Sequence, residues 1–227
     1  MRNSLKCLAV MALFAIIIPP VQAAGLDPYY DTLAEYNRIK PKQNPQWETA
    51  NRTLKSKVHD NKNKVIGDLQ DIVVSENGSI DSLNVDLNRL QLGEINLNYN
   101  ELNVTASPRS YALGYDDDRI ADIYPEILAS IGTAAGEGAA GISIENLIRS
   151  EVKADDGRRI GKVEDVMFSA NGDRVTALLV RVNYKTIRGE SVAIPFSSVE
   201  YRPKGSRYEV LLADQQADTI LEFADEM

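Results

Sequence analysis

Residues 58–78, VHDNKNKVIGDLQDIVVSENG, align without a gap to residues 152–172, VKADDGRRIGKVEDVMFSANG. Seven positions are identical: Val58/Val152, Ile66/Ile160, Gly67/Gly161, Asp71/Asp165, Ser75/Ser169, Asn77/Asn171 and Gly78/Gly172. Most of the others exchange like for like. Self-similarity of this length implies two copies of one small domain. A residue type kept in both copies points to the fold rather than to chemistry unique to one of them. Gly67, Gly161, Asp71, Asp165, Gly78 and Gly172 are therefore expected to be structural repeat positions, with the two aspartates bonding backbone.

Outward from this stretch the chain reads as short strands. Asp156-Gly157 and Asn171-Gly172 are dipeptides favoured in type I′ hairpin turns, which need positive φ. Between them the apolar residues fall at Ile160, Val163, Val166 and Phe168. The parity of the alternation flips midway, as a β-bulge makes it do. The first copy flips at the same place, with Ile66, Leu69, Ile72 and Val74. The next strand aligns Leu178, Val180 and Val182 with Leu83, Val85 and Leu87, after one inserted residue. A further pair aligns Val192 and Ile194 with Ile95 and Leu97. Asp214 to Phe223 predicts a closing helix, with Asp214 as N-cap and Ala217, Ile220 and Leu221 buried.

The segments LIRSEVKADDGRRIGKVEDVMFSANGDRVTALLVRV at 147–182 and ESVAIPFSSVEY at 190–201 resemble the PRC-barrel family. The combination of the hairpin, the following strand and the AIPF step carries the likeness. The first copy shares it through the internal alignment. There, Asn61-Lys62-Asn63 replaces the Asp-Asp-Gly turn and Asn98-Tyr99 replaces the Pro-Phe step. The resemblance implies a small six-stranded β-barrel. It also implies binding and assembly roles, as in the photosynthetic reaction centre H subunit and in ribosome-maturation factors, with no shared catalytic residues. The expected fold class is mainly β: two tandem six-stranded PRC-type barrels with short helices, a signal peptide and a helical arm.

Arg2 and Lys6, the 11 apolar residues Leu8 to Ile18, and Val21-Gln22-Ala23 read as a signal peptide over 1–23. The apolar run is short of the ~20 residues that span a bilayer, so no stable membrane anchor is expected after cleavage. Residues 24–52 read as an arm, expected to pack across the first domain or to bind a partner. In it Tyr30, Leu33, Ala34 and Asn37 share a helix face. The first domain spans 53–124, a Gly/Ala-rich linker 125–145 and the second domain 146–227. Cleavage removes Cys7, leaves no cysteine, and takes the net charge from −8 to −10. An exported protein without disulfides is held by its core. An acidic surface excludes nucleic acid as a main partner.

Catalytic chemistry has little to work with. The sole histidine, His59, lies at a turn, and without cysteine the usual Cys/His zinc sites are out of reach. No cofactor is expected. Asp116-Asp117-Asp118 is the densest acidic run but lacks the spacing of a calcium loop. Arg158, Arg159 and Lys162 form a basic edge. On the next strand Leu179 and Arg181 replace the Asn84 and Asp86 of the first copy. Apolar residues with arginine suit protein interfaces. These five residues, Leu179, Arg181, Arg158, Arg159 and Lys162, are the candidate partner surface. The leading expectation is a non-enzymatic periplasmic protein-interaction or assembly module, with self-association open. The alternative is a small-ligand or calcium module using the groove between the barrels, and a hydrolase ranks below both. The export reading expects a mature N-terminus at Ala24, and intact-mass measurement of exported protein that retained Met1 would overturn it.

Overall fold

The computed structural model describes residues 28–100, 104–107, 110–116, 118–120, 122–123, 125 and 141–227. The signal peptide expected over 1–23 and most of the expected linker lie outside them. Helix α1 (Pro28–Asn37) opens the described chain, followed by β1 (Trp47–Thr49) and the one-turn helix α2 (Ala50–Thr53). The first unit holds β2 (Lys57–His59), β3 (Val65–Val74), β4 (Ile80–Asp86), β5 (Glu94–Asn98), β6 (Thr105–Ser107) and β7 (Ser110–Ala112). Next come β8 (Ile142–Ser143) and the one-turn helix α3 (Ile144–Leu147). The second unit holds β9 (Glu151–Ala154), β10 (Arg159–Ser169), β11 (Val175–Tyr184), β12 (Ile187–Pro195), β13 (Glu200–Lys204) and β14 (Arg207–Leu212), closed by α4 (Asp214–Glu226).

The two sheets have one plan. Their orders are β5-β4-β3-β2-β7-β6 and β12-β11-β10-β9-β14-β13. In each, a single parallel pair (β2 with β7, β9 with β14) sits among antiparallel ones. The aligned residues take equivalent places: Leu83 pairs with Ile72 and Leu97, as Leu178 does with Val166 and Ile194. The end strands of each path are not paired with each other among the described residues. The expectation of six-stranded barrels is met as two mainly antiparallel sheets, not as closed cylinders.

Both long strands carry the expected bulge. The register shifts between Leu69 and Asp71 in β3 and between Val163 and Asp165 in β10. Just before it stands Gly67 or Gly161, and in each case a neighbouring strand fills the space of a side chain. A Cβ on Gly161 would lie 2.2 Å from the Arg181 carbonyl oxygen, and one on Gly67 2.5 Å from that of Asp86. The turn chemistry differs from expectation. Gly157 has φ +87°, but Asp156 is not in the left-handed region, so the turn is not type I′. Gly157 N–H donates to Ala154 O at 2.9 Å and Ala154 N–H to Arg158 O at 2.9 Å, a three-residue loop whose last residue is left-handed. Asn63, φ +62°, closes the same loop in the first unit, because asparagine tolerates that region.

At the bulge each long strand changes neighbour. Its first half pairs with its own hairpin partner, and its second half with a segment that precedes the other unit. Thus β1 lies on β10, with Thr49 opposite Met167 and Glu48 opposite Phe168. In the same register β8 lies on β3, with Ser143 opposite Val73 and Ile142 opposite Val74. The two units exchange their leading strand–helix segments.

The repeated aspartates stand at this crossing. Asp71 Oδ1 accepts from Ile72 N–H (2.8 Å) at the bulge and from Glu145 N–H (2.8 Å) in the first turn of α3. Its other oxygen accepts from the Ser143 hydroxyl. Asp165 does the same for the opposite segment, accepting from Val166 N–H (2.9 Å), Asn51 N–H (3.1 Å) and the Thr49 hydroxyl. The expected backbone-bonding role holds, and the bonded backbone belongs to both units.

One hydrophobic core runs through the molecule, from Leu33 and Ile66 to Phe196 and Leu221. Gly78 has φ +85°, and a Cβ there would stand 2.3 Å from the Val175 carbonyl oxygen. Its own carbonyl accepts from Val175 N–H at 2.9 Å. The buried Tyr111 hydroxyl donates to Gly172 O at 2.8 Å. The repeated turn glycines therefore mark where the units meet. Helix α4 buries Ala217, Ile220 and Leu221 as expected, but Asp214 is its first residue and not its N-cap. The Asp214 carboxylate accepts from Asp156 N–H instead, at 3.0 Å, and ties the helix to the hairpin turn.

Burial pushes the carboxyls of Asp71 and Asp165 above the ordinary range, against the pull of their donors. Asp71→Ala and Asp165→Ala are each expected to lower stability by about 1.5–3 kcal/mol, the scale of a hydrogen bond to a charged acceptor. Asparagine keeps an acceptor for the amides, so Asp→Asn should lose less. A raised folded pKa gives the native aspartate a stability contribution that is lost as pH rises through it. The deficit of the Asn variants should therefore narrow as pH rises above the ordinary aspartate range, read by urea denaturation.

Candidate interaction surface

The outer faces of the two sheets differ in sequence, and that difference places the arm. On the first unit the outward residues of β4 and β5 include Asn84, Glu94, Asn96 and Asn98, all polar, with Asn84 Nδ2 donating to Glu94 at 3.3 Å. On the second unit Met167, Ala177, Leu179 and Ala193 make a small apolar cluster, fully buried beneath Tyr36 and Trp47. The arm therefore packs on the second unit, not on the first as its place in the sequence suggested. An uncovered apolar patch is the costlier surface to leave in water.

Four contacts fix the arm. Leu33 is buried in the main core. The Asn37 carboxamide makes two bonds to β12: its Nδ2 donates to Ala193 O (2.9 Å), and its Oδ1 accepts from Ala193 N–H (2.8 Å). It closes a terminal strand as a neighbouring strand would. Tyr30 meets Phe223 of α4 edge-on at 5.4 Å, and its hydroxyl donates to Glu226, which raises the phenol pKa. Lys42 reaches Glu164 at 2.7 Å. Glu164 also accepts from Arg181 (2.9 Å) and Ser191 (2.7 Å). Partial burial pushes the Glu164 carboxyl up, but these donors prevail and hold it below its ordinary range.

The candidate residues named from sequence do not form one patch. Leu179 is wholly buried and faces the arm. Arg181 lies at the margin of the same face, held by Glu164. Arg158 turns toward α4, where Asp156 and Asp218 neutralise it. Arg159 lies 3.6 Å from Glu151, and Lys162 is exposed between Arg181 and Glu151 on the flanking strands. The basic edge is thus laced with carboxylates. His59 ends β2, half-buried. Asp116 is engaged by Lys62 (2.9 Å) and by Arg119 N–H (2.9 Å), while Asp117 lies outside the described residues. Among the described residues no three His, Cys, Asp or Glu side chains converge on a metal position. Nor is any helix among them long and apolar enough to cross a membrane.

Sequence reading missed the feature that the arm creates. Tyr36 and Trp47, with ring centroids 5.5 Å apart, form one wall of an open cleft of about 280 Å³. Its other lining includes Ile39, Pro45, Arg38, Glu35 and Thr176. Ile39 is 43% exposed, one of only two large hydrophobic residues exposed among the described ones. The exchanged segments were also missed, though a signal existed. The gapless alignment continues upstream through Ser56/Ser150, Lys55/Arg149 and Leu54/Ile148. Lys55 and Arg149 even share a left-handed backbone, at φ +68° and +71°.

Residues 140–216 match the PRC-barrel domain family. The matched span covers β8, α3 and the six strands of the second sheet. No curated protein matches the chain. Leu179→Ala is expected to cost about 2–5 kcal/mol, since it empties a buried site. Lys162→Ala should stay within about 0.5 kcal/mol of the parent. Denaturation followed through the sole tryptophan, Trp47, measures both.

Proposed function

We propose that this chain is an exported protein built from two PRC-type barrel units, acting without catalysis as a protein-interaction or assembly module. The family match supports this for the second unit. The shared strand order and the shared bulge aspartates support reading the first unit as a divergent copy. The N-terminal basic, apolar and small-residue pattern supports export to the periplasm with removal of the signal, leaving no stable anchor. The formal charge of −8 argues against nucleic acid as partner.

The observation that carries the reading is the Tyr36–Trp47–Ile39 cleft. Aromatic residues with an exposed apolar neighbour and an arginine on the rim have the composition that interface centres favour. The partner surface proposed here is therefore the arm where it lies on the second unit, flanked by Arg181. The face of Leu179 beneath it acts as support. Truncating an aromatic or apolar anchor at the centre of such an interface weakens binding by about 2 kcal/mol or more.

Affinity capture from the export compartment with the full mature chain, read by mass spectrometry, tests this. The wild-type protein should retain a partner at stoichiometric yield. Ile39→Glu should lose it while keeping its fold by circular dichroism, and Lys162→Ala should keep it. A partner held equally by all three would place the contact elsewhere. Recovery of no partner by any of them would remove the module reading.

A further inference from the structure

The bonds that tie each exchanged segment to its aspartate are made twice, in equivalent residues. The donors Thr49 and Asn51 and the donors Ser143 and Glu145 occupy the same register positions. So do their acceptors Asp165 and Asp71, and the receiving strand ends at Met167–Phe168 and Val73–Val74. Nothing in these contacts requires that the two units belong to the same molecule.

We propose that the chain self-associates by reciprocal exchange. In the resulting dimer the first unit of each molecule pairs with the second unit of the other. Then β1 and α2 of one copy seat on β10 of its partner, and β8 and α3 of the partner seat on β3. This names a second copy of the chain as a partner and does not use the Ile39 contact.

The pairing is restricted to unlike units. A Cβ on Gly141 would already lie 2.2 Å from Val73 Cγ1. The residue equivalent to Gly141 in the other segment is Trp47, so β1 does not fit on β3. Ala50 and Ile144, both buried, also differ by three carbons at equivalent places. First-with-first pairing thus carries a clash and an underfilled site, which is discrimination by steric exclusion. Two unlike pairings made reciprocally between two chains occupy both units of each, so the reciprocal product is a closed dimer.

The exchange forms the same bonds within one chain or between two. The balance is therefore set by the tether between the units, residues 126–140. Joining two modules by a linker of this order of length gives an effective concentration on the order of millimolar, so the closed monomer prevails in dilute solution. A tether too short to let the units meet removes that advantage.

The test uses the full mature chain with residues 130–137 deleted, beside the wild type. Each is prepared as an equal mixture of ¹⁵N-labelled and unlabelled protein, unfolded and refolded together. Light scattering after size exclusion should show a rise on the order of tenfold in the dimer-to-monomer ratio of the shortened chain. Carbodiimide then joins Lys42 to Glu164, which lie 2.7 Å apart across the two units. The dimer fraction should yield Lys42–Glu164 peptides with one labelled and one unlabelled half. A dimer giving only same-isotope peptides, or a folded chain that stays monomeric, overturns the proposal. If the shortened chain does not fold, wild-type protein refolded at millimolar concentration is scored in the same way, and the absence of mixed peptides there overturns it equally. A chain that exchanges yet captures no other protein defeats only the module reading, and one that captures a partner without exchanging defeats only the dimer.

Discussion

A carboxylate at a bulge holds this molecule together. Each long strand must serve two neighbours, and the bulge at Leu69–Asp71 or Val163–Asp165 is where it passes from one to the other. A bulge leaves a backbone amide out of the ladder. The first turn of a helix leaves others. Asp71 and Asp165 each place an oxygen where both kinds meet. Burial disfavours the charge, and the converging donors offset only part of that. Because the bulge belongs to one unit and the helix to the other, a bond that satisfies local backbone also joins the units. The neighbouring glycines follow from the same crowding, since the strands lie too close for a side chain beside the bulge.

From this junction comes a chain whose units are not independent beads. The core is continuous, and the turn at Gly78 docks on Val175 of the other unit. The approximate symmetry is broken on the outside. Polar residues on β4 and β5 leave the first sheet content in water, whereas Leu179 and its neighbours on the second need a cover. Helix α1 supplies it, and the Asn37 carboxamide completes the terminal strand at Ala193. The resulting surface is new: Tyr36 and Trp47 face each other only because the arm has folded back onto the second unit.

An interaction role suits such a construction. The rigid part supplies a platform, and the arm supplies aromatic and apolar groups at its margin. Charged side chains along the outer strands mostly answer one another, as Lys153 and Lys204 do with Glu209, whose carboxyl they hold near pKa 2. Exposed ion pairs of this kind contribute little to stability.

The repeat, the bulge positions, the strand pairing of Leu83 and Leu178, and the backbone role of the aspartates were legible in the sequence. Each rests on local chemistry that recurs at a fixed spacing, and two copies in one chain make that spacing visible. The left-handed turn residue was legible as well, but its turn type was not, because glycine serves several loops whose other dihedrals depend on the strands they join. Tertiary structure alone decided which unit each leading segment would join. Asp165 bonds the Asn51 amide of α2 as Asp71 bonds the Glu145 amide of α3, so these bonds do not discriminate, and the choice falls to distant contacts: Gly141 against Val73, and Trp47 against Tyr36. It also decided that Leu179 would be covered and Ile39 left open. Apolar residues written on a strand show that a face will be buried, and only the packing of remote segments determines what buries it.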